Sequence, residues 1–212
     1  MEKVAVIGSS GLIGGHVVEE LLKNSTVSEI RLLVRRKNSF NDPRIKQVLV
    51  DYTNQLQFKE ALMGCDHIFC AIGTTRKKTP NLKEYRKIDF DIPVTAAMLG
   101  VETGAKGFHL VSAIGASSKS VNFYSRMKGE VEDAIAGLPI PQIGFYRPSL
   151  LLGKRNETRI AESISAQIMP LFAFLIPSDY KPIEAATVAR AMVRDACKEL
   201  PGVRIYKFSE MV

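Results

Sequence analysis

Runs of aliphatic residues alternate along this chain with segments whose apolar positions recur every three or four residues. Lys3–Ile7 (KVAVI) is apolar at almost every position, which suits a strand buried on both faces. Gly14–Lys23 follows, with Val17, Val18, Leu21 and Leu22 on one side of a helix. The same alternation predicts strands at Ile30–Val34, at a run ending in Val48–Val50, and at His67–Ile72, Gly107–Ser112, Gln142–Arg147 and Arg204–Phe208. Helices are predicted at Leu56–Met63, Lys83–Thr103, Asn122–Ala136, Ile160–Ile176 and Ile183–Glu199. Pro93 should bend or shorten the helix that contains it, and Asn122 offers an N-cap.

Strands that alternate with helices build βαβ units and a parallel sheet covered on both faces. The expected fold is therefore α/β: a doubly wound parallel sheet in one domain over residues 1–212. No repeat, low-complexity tract or linker divides the chain.

The formal net charge of +7 raises the question of nucleic acid. Much of the excess is clustered in Arg35-Arg36-Lys37 and Arg76-Lys77-Lys78. Neither a helix-turn-helix pattern nor an aromatic-rich single-strand surface accompanies it, so a nucleic-acid binder is disfavoured. Met1-Glu2-Lys3 runs directly into an apolar strand, with no leader pattern. The apolar stretch Ile164–Ile176 is too short for a bilayer span and contains Pro170. Cys65, Cys70 and Cys197 lack CxxC spacing and read as free thiols, which places the protein in a reducing cytoplasm. His16, His67 and His109 have no ligand spacing, so no metal is expected.

The candidate chemistry begins at Gly8-Ser9-Ser10-Gly11-Leu12-Ile13-Gly14, between the first strand and the first helix. Glycines there allow close backbone approach, and helix N-terminal amides suit a pyrophosphate; the alternative is a tight turn alone. Ser9 and Ser10 add hydroxyl donors. The second strand ends Val34-Arg35-Arg36, where an NAD-binding site carries Asp or Glu. A guanidinium there grips a 2′-phosphate that a carboxylate would repel, so NADP(H) is favoured over NAD(H). Asp51 and Tyr52 end the third strand, and Ala71-Ile72-Gly73-Thr74 follow the fourth. These ends surround a cofactor in a doubly wound sheet, where Asp51 could reach the adenine amino group and Gly73 lets backbone pass close to the nicotinamide ribose; the alternative for either is ordinary loop chemistry.

Tyr124-Ser125-Arg126-Met127-Lys128 is a YxxxK segment on the helix after the fifth strand. Residues four apart share a helix face, so the ammonium can favour the phenolate form of the tyrosine. With VIGSSGLIGG, FCAIGTTRKK, NFYSRMKGEVE and YRPSLLLG (Tyr146–Gly153), the chain resembles the compact, atypical branch of the short-chain dehydrogenase/reductase superfamily. Within it, the chain looks like the Tat-interacting oxidoreductase-like group and its bacterial relatives. The resemblance covers nearly the whole chain. It implies an NADPH-binding Rossmann-like domain in which Tyr124 transfers a proton and Lys128 touches both the nicotinamide ribose and Tyr124.

The superfamily's catalytic serine usually ends the fifth strand, often as the second of two serines. Here the pair reads Ser112-Ala113, so Ser112 would take the role, with Ser117 and Ser118 as outside candidates. Arg147-Pro148 ends the sixth strand, where the resemblance places the start of a small substrate-side segment over about residues 148–212. A large sugar-nucleotide pocket is not expected, because only some sixty residues follow. Ser163–Ile176 reads as a lid, a subunit contact of a homo-oligomer, or a helix packed on the core. The function expected is an oxidoreductase that reduces a carbonyl or oxidises an alcohol on a small-molecule substrate. The rival is an NADPH-binding regulatory or scaffold protein with little turnover.

Overall fold

The computed structural model describes residues 2–37, 40–152 and 178–212. Its strands are β1 (Lys3–Ile7), β2 (Glu29–Val34), β3 (Ile45–Leu49), β4 (His67–Cys70), β5 (Gly107–Val111), β6 (Gln142–Tyr146), β7 (Leu151–Leu152), β8 (Ile183–Glu184) and β9 (Gly202–Tyr206). Seven of them form one sheet in the order β3-β2-β1-β4-β5-β6-β9, every neighbouring pair parallel. β7 and β8 make a separate two-stranded parallel pair. The strand order reverses direction at β1, which opens a crevice beyond the carboxyl ends of β1 and β4.

Helices close both faces. α1 (Leu12–Lys23) buries Ile13, Val17, Val18 and Leu21, spaced four, one and three residues apart along one side of the helix. It packs with α6 (Ala185–Cys197) over Val4, Val6, Ile30, Leu32, Phe69 and Tyr146. The other face is covered by α2 (Gln55–Leu62), α4 (Ile92–Glu102) and α5 (Phe123–Ala136), over Ile7, Leu33, Ile68, Phe108, Leu110 and Phe145. Strands sandwiched in this way are buried on both sides, hence their unbroken apolar runs.

The structure corrects several boundaries. β3 starts earlier than the Val48–Val50 run and ends at Leu49. The helix expected over Lys83–Thr103 is three pieces: α3 (Leu82–Arg86), a π-helical turn (Lys87–Asp91) and α4. Pro93 lacks an N–H and its ring crowds the carbonyl four residues back, so the turn before it widens rather than continuing as α-helix. Ile183 and Glu184 pair as strand with Leu151 and Leu152 before α6 begins. β9 lies two residues upstream of Arg204–Phe208, and Phe208 opens a final short helix, α7 (Phe208–Met211). Asn122 caps α5 as expected, its side chain accepting from the Ser125 amide. The predicted helix Ile160–Ile176 lies outside the described residues, and with it the Ser163–Ile176 stretch.

Candidate cofactor site and active site

Register gathers the candidate residues along one edge. Ile7 lies beside Leu33 and Cys70, Cys70 beside Leu110, and Val111 beside Tyr146. Gly8, Arg35, Ala71, Ser112 and Arg147 therefore all leave the sheet close to its carboxyl edge, around the crevice.

The glycines of the first loop are explained by the turn itself. Gly8 has φ +88°, and a Cβ there would lie 2.7 Å from Ala71 C and Ile72 N. A Cβ on Gly14 would lie 2.1 Å from the Gly8 carbonyl oxygen, and the Gly11 amide donates to that same oxygen at 2.9 Å. Other features would suit the loop to an anion. α1 starts at Leu12 behind Gly11 with no side-chain cap and no acid in its first turn, so its amides remain available. Ser9 is buried, and its Oγ finds no partner among the described residues, whereas Ser10 is exposed at the loop surface. A buried hydroxyl without a partner beside free helix-end amides fits a dinucleotide pyrophosphate.

Arg35 and Arg36 are exposed just past β2. Asp51 is exposed too, and Oδ1 accepts from the Thr53 hydroxyl (2.7 Å) and amide (2.9 Å), which hold its carboxyl below the usual range. Tyr52 turns back: its hydroxyl donates to the Leu33 carbonyl at 2.8 Å and its ring meets Phe58 edge-on. It braces the ends of β2 and β3. Ala71 continues from β4 with its amide on the Ile7 carbonyl (2.9 Å), and Ile72-Gly73-Thr74 follow along the crevice.

Tyr124 and Lys128 occupy successive turns of α5. Tyr124 is 42% exposed, while Lys128 is only 4% exposed, with Nζ 5.9 Å from the Tyr124 ring centroid. Lys128 is held from the far side by Asp89, Nζ to Oδ1 3.2 Å, and Asp89 Oδ2 accepts from the Thr74 amide at 2.7 Å. Burial pulls the Lys128 pKa down, but its neighbours, the Asp89 carboxylate foremost, outweigh it and leave it raised. Cys70 lies close by, its thiol pushed up to about 12 by burial and thus unreactive.

Ser112 is placed differently from the expected role. Its hydroxyl is buried and donates to Glu132 Oε1. Glu132 also receives Arg147, through Nε at 3.0 Å and through Nη2. Ser112 and Arg147 are thus joined through a carboxylate inside the protein. Ser117 and Ser118 lie along α5 at Gly129, where a Cβ would sit 2.1 Å from the Ser118 amide nitrogen.

Two residues of this constellation were not among the sequence candidates. Glu132 carries a faint signal, since 124, 128 and 132 form one stripe of α5. Asp89 carries none beyond its place before Pro93. No group of three or more His, Cys, Asp or Glu among the described residues could hold a metal. His67 and His109 do meet, Nδ1 to Nε2 3.1 Å, with His109 Nδ1 3.3 Å from the Tyr146 hydroxyl. Burial lowers His67 to about 4 and His109 well below its ordinary value, so both are neutral members of the core.

Known proteins resemble this chain in sequence and in fold. An NAD(P)H-binding family model matches residues 8–136. Protein HTATIP2 of Rattus norvegicus is 30% identical over 197 residues, 92% of this chain and 81% of that protein. Protein fmp52, mitochondrial, of Aspergillus clavatus is 32% identical over 211 residues, 95% of this chain and 90% of its own. Among solved structures, MoeE5 in complex with UDP-glucuronic acid and NAD superposes with a TM-score of 0.73 at 18% identity, over 96% of this chain and 75% of MoeE5. At that identity the likeness speaks for the fold.

Proposed function

This chain belongs to the NAD(P)H-binding family, and we propose that it is an NADP(H)-dependent oxidoreductase of the short-chain type, interconverting a carbonyl and an alcohol on a small substrate. The observation that carries the reading is an exposed Tyr124 one helical turn from a buried Lys128, in a chain whose first helix starts uncapped after the glycine loop. Gly8 to Gly14, with the Ser9 hydroxyl and the first amides of α1, would hold the pyrophosphate. Arg35 and Arg36 would take the 2′-phosphate, with Asp51 toward the adenine and Ala71 to Thr74 along the nicotinamide half. When bound, NADPH supplies the reducing equivalent. Tyr124 gives its proton to the substrate oxygen as the carbonyl becomes an alcohol, and Lys128 orients that hydroxyl. The three free thiols suit a reducing compartment, for which we propose the cytoplasm.

A second reading, an NADPH-binding regulatory protein, is favoured by one observation: the Ser112 hydroxyl is held by Glu132 instead of being offered to a substrate oxygen. One experiment separates the two. NADPH binding is measured by fluorescence, and NADPH oxidation is then screened with small aldehydes, ketones and quinones. Turnover that Tyr124→Phe lowers by about 10²–10⁴-fold, with NADPH affinity retained, supports the enzyme. Tight NADPH binding without turnover on any of these supports the regulator. Turnover untouched by Tyr124→Phe removes the tyrosine from the chemistry.

A further inference from the structure

An ammonium beside a phenol favours its ionisation only to the extent that the charge is not already balanced. Lys128 is balanced at close range. Its Nζ lies 3.2 Å from Asp89 Oδ1 and 5.9 Å from the Tyr124 ring centroid, and the two charged side chains are 5% and 2% exposed. Opposite charges so close present a dipole to a third group, and the field of a dipole falls off faster than that of a single charge. Asp89 is itself fixed by the Thr74 amide, and Gly73 leaves the room it needs: a Cβ there would come within 3.2 Å of Oδ1.

We propose that Asp89 is a positioning residue that holds the Lys128 ammonium and offsets its charge, so that the lysine orients the Tyr124 hydroxyl while adding little net positive field to it. The site then keeps its tyrosine as a proton donor, which suits the reductive direction. This direction rests on the reading of Tyr124 as the proton-transfer residue.

The surrounding charges leave Asp89 as the partner. Tyr85 on α3 and Cys70 at the end of β4 face the pair, both held neutral by pKa values raised through burial, and Arg76 acts on Tyr85 from the loop after β4. On α5 itself, Glu130 is turned out to Arg86, and Glu132 is taken by Arg147.

The test reads the phenol directly and needs no turnover, so its outcome stands apart from that of the oxidoreductase reading. Phenolate absorbance near 295 nm is titrated for the wild-type protein and for Tyr124→Phe; the difference isolates one of six tyrosines. The same difference is taken in an Asp89→Asn background, which keeps an oxygen for the Thr74 amide but removes the charge. The Tyr124 midpoint should fall by about one pH unit, at the lower end of the usual effect of an unbalanced neighbouring charge. An unchanged or higher midpoint overturns the proposal. The charge-balanced double variant Asp89→Asn/Lys128→Met guards against a misfolded single variant, because it leaves no unpaired charge in the core. Its midpoint should match the wild type within about half a unit. A larger rise means that the lysine charge was acting on the phenol unopposed, and the proposal fails.

Discussion

Gly14 and Gly15 are adjacent in α1, and the structure assigns them opposite responses to the same substitution. A Cβ on Gly14 would sit 2.1 Å from the Gly8 oxygen, 2.7 Å from the Gly8 carbonyl carbon and 3.0 Å from Ser9 Cα. The nearest of these is about 1.3 Å inside the 3.4 Å at which ordinary contact begins, and all three are backbone atoms that cannot rotate away. Gly14→Ala must push the loop off the helix. Overpacking of this kind costs about 1–3 kcal/mol, and the rigid neighbours place it at the upper end. In a domain of this size that lowers Tm by roughly 6–12 °C. A Cβ on Gly15 meets only the Ser9 oxygen, at 3.7 Å. Gly15→Ala should therefore stabilise the helix by about 0.5–1 kcal/mol and raise Tm by roughly 1–4 °C. Thermal melts of the two variants, with NADPH titrations alongside, test the pair. Gly14→Ala should also weaken NADPH by at least about tenfold, since the displaced loop carries Ser9 and the first amides of α1. A Gly14→Ala protein that melts and binds like the wild type would refute the account of the loop.

Arg35→Asp replaces the guanidinium proposed to take the 2′-phosphate with a repelling carboxylate at the end of β2. NADPH should bind the wild type more tightly than NADH by about 1–3 kcal/mol, and the variant should lose or reverse that preference; equal wild-type affinities by calorimetry count against NADP(H). The buried histidines set an acid window. His67 is lowered from 6.5 to about 4, so the unfolded chain binds the extra proton across that interval, and stability is full above about pH 6.5 and declines as pH falls. His67 alone should cost about 3 kcal/mol by pH 4, and His109 adds in the same direction. Asp66, lowered to about 2, loses its contribution only below about pH 4, so urea midpoints that stay flat from pH 7.5 to 5 would contradict the histidine account.

The fold was legible because the central strands β1, β2, β4, β5 and β6 are buried on both faces and the helices that cover them on one. KVAVI can only be a buried strand in this context, and Val17, Val18 and Leu21 can only face it from a helix. The boundaries that moved are those where a local rule met a tertiary one. Ile183 and Glu184 continue the pattern of the helix behind them, yet they pair with Leu151 and Leu152, more than thirty residues upstream. Pro93 announced a break, but not that the break takes the form of a π-helical turn between α3 and α4.

The same division runs through the site. The places of Gly8 to Gly14, Arg35, Tyr124 and Lys128 were legible because each is fixed relative to one strand or one helix. What neutralises a charge was not, because it depends on which other element arrives beside it. Lys128 carries its tyrosine within its own helix, but its carboxylate comes from the π-helical turn, 39 positions upstream. Ser112 reads as a hydroxyl at the end of β5 until α5 brings Glu132 to it and β6 brings Arg147 to Glu132. Both polar groups that the tyrosine would rely on are therefore committed to carboxylates drawn from other elements. On the proposed oxidoreductase reading, a Ser112 bound in this way would leave substrate polarisation to Tyr124, and the orientation of that one hydroxyl, through Lys128 and Asp89, would be the quantity on which turnover depends.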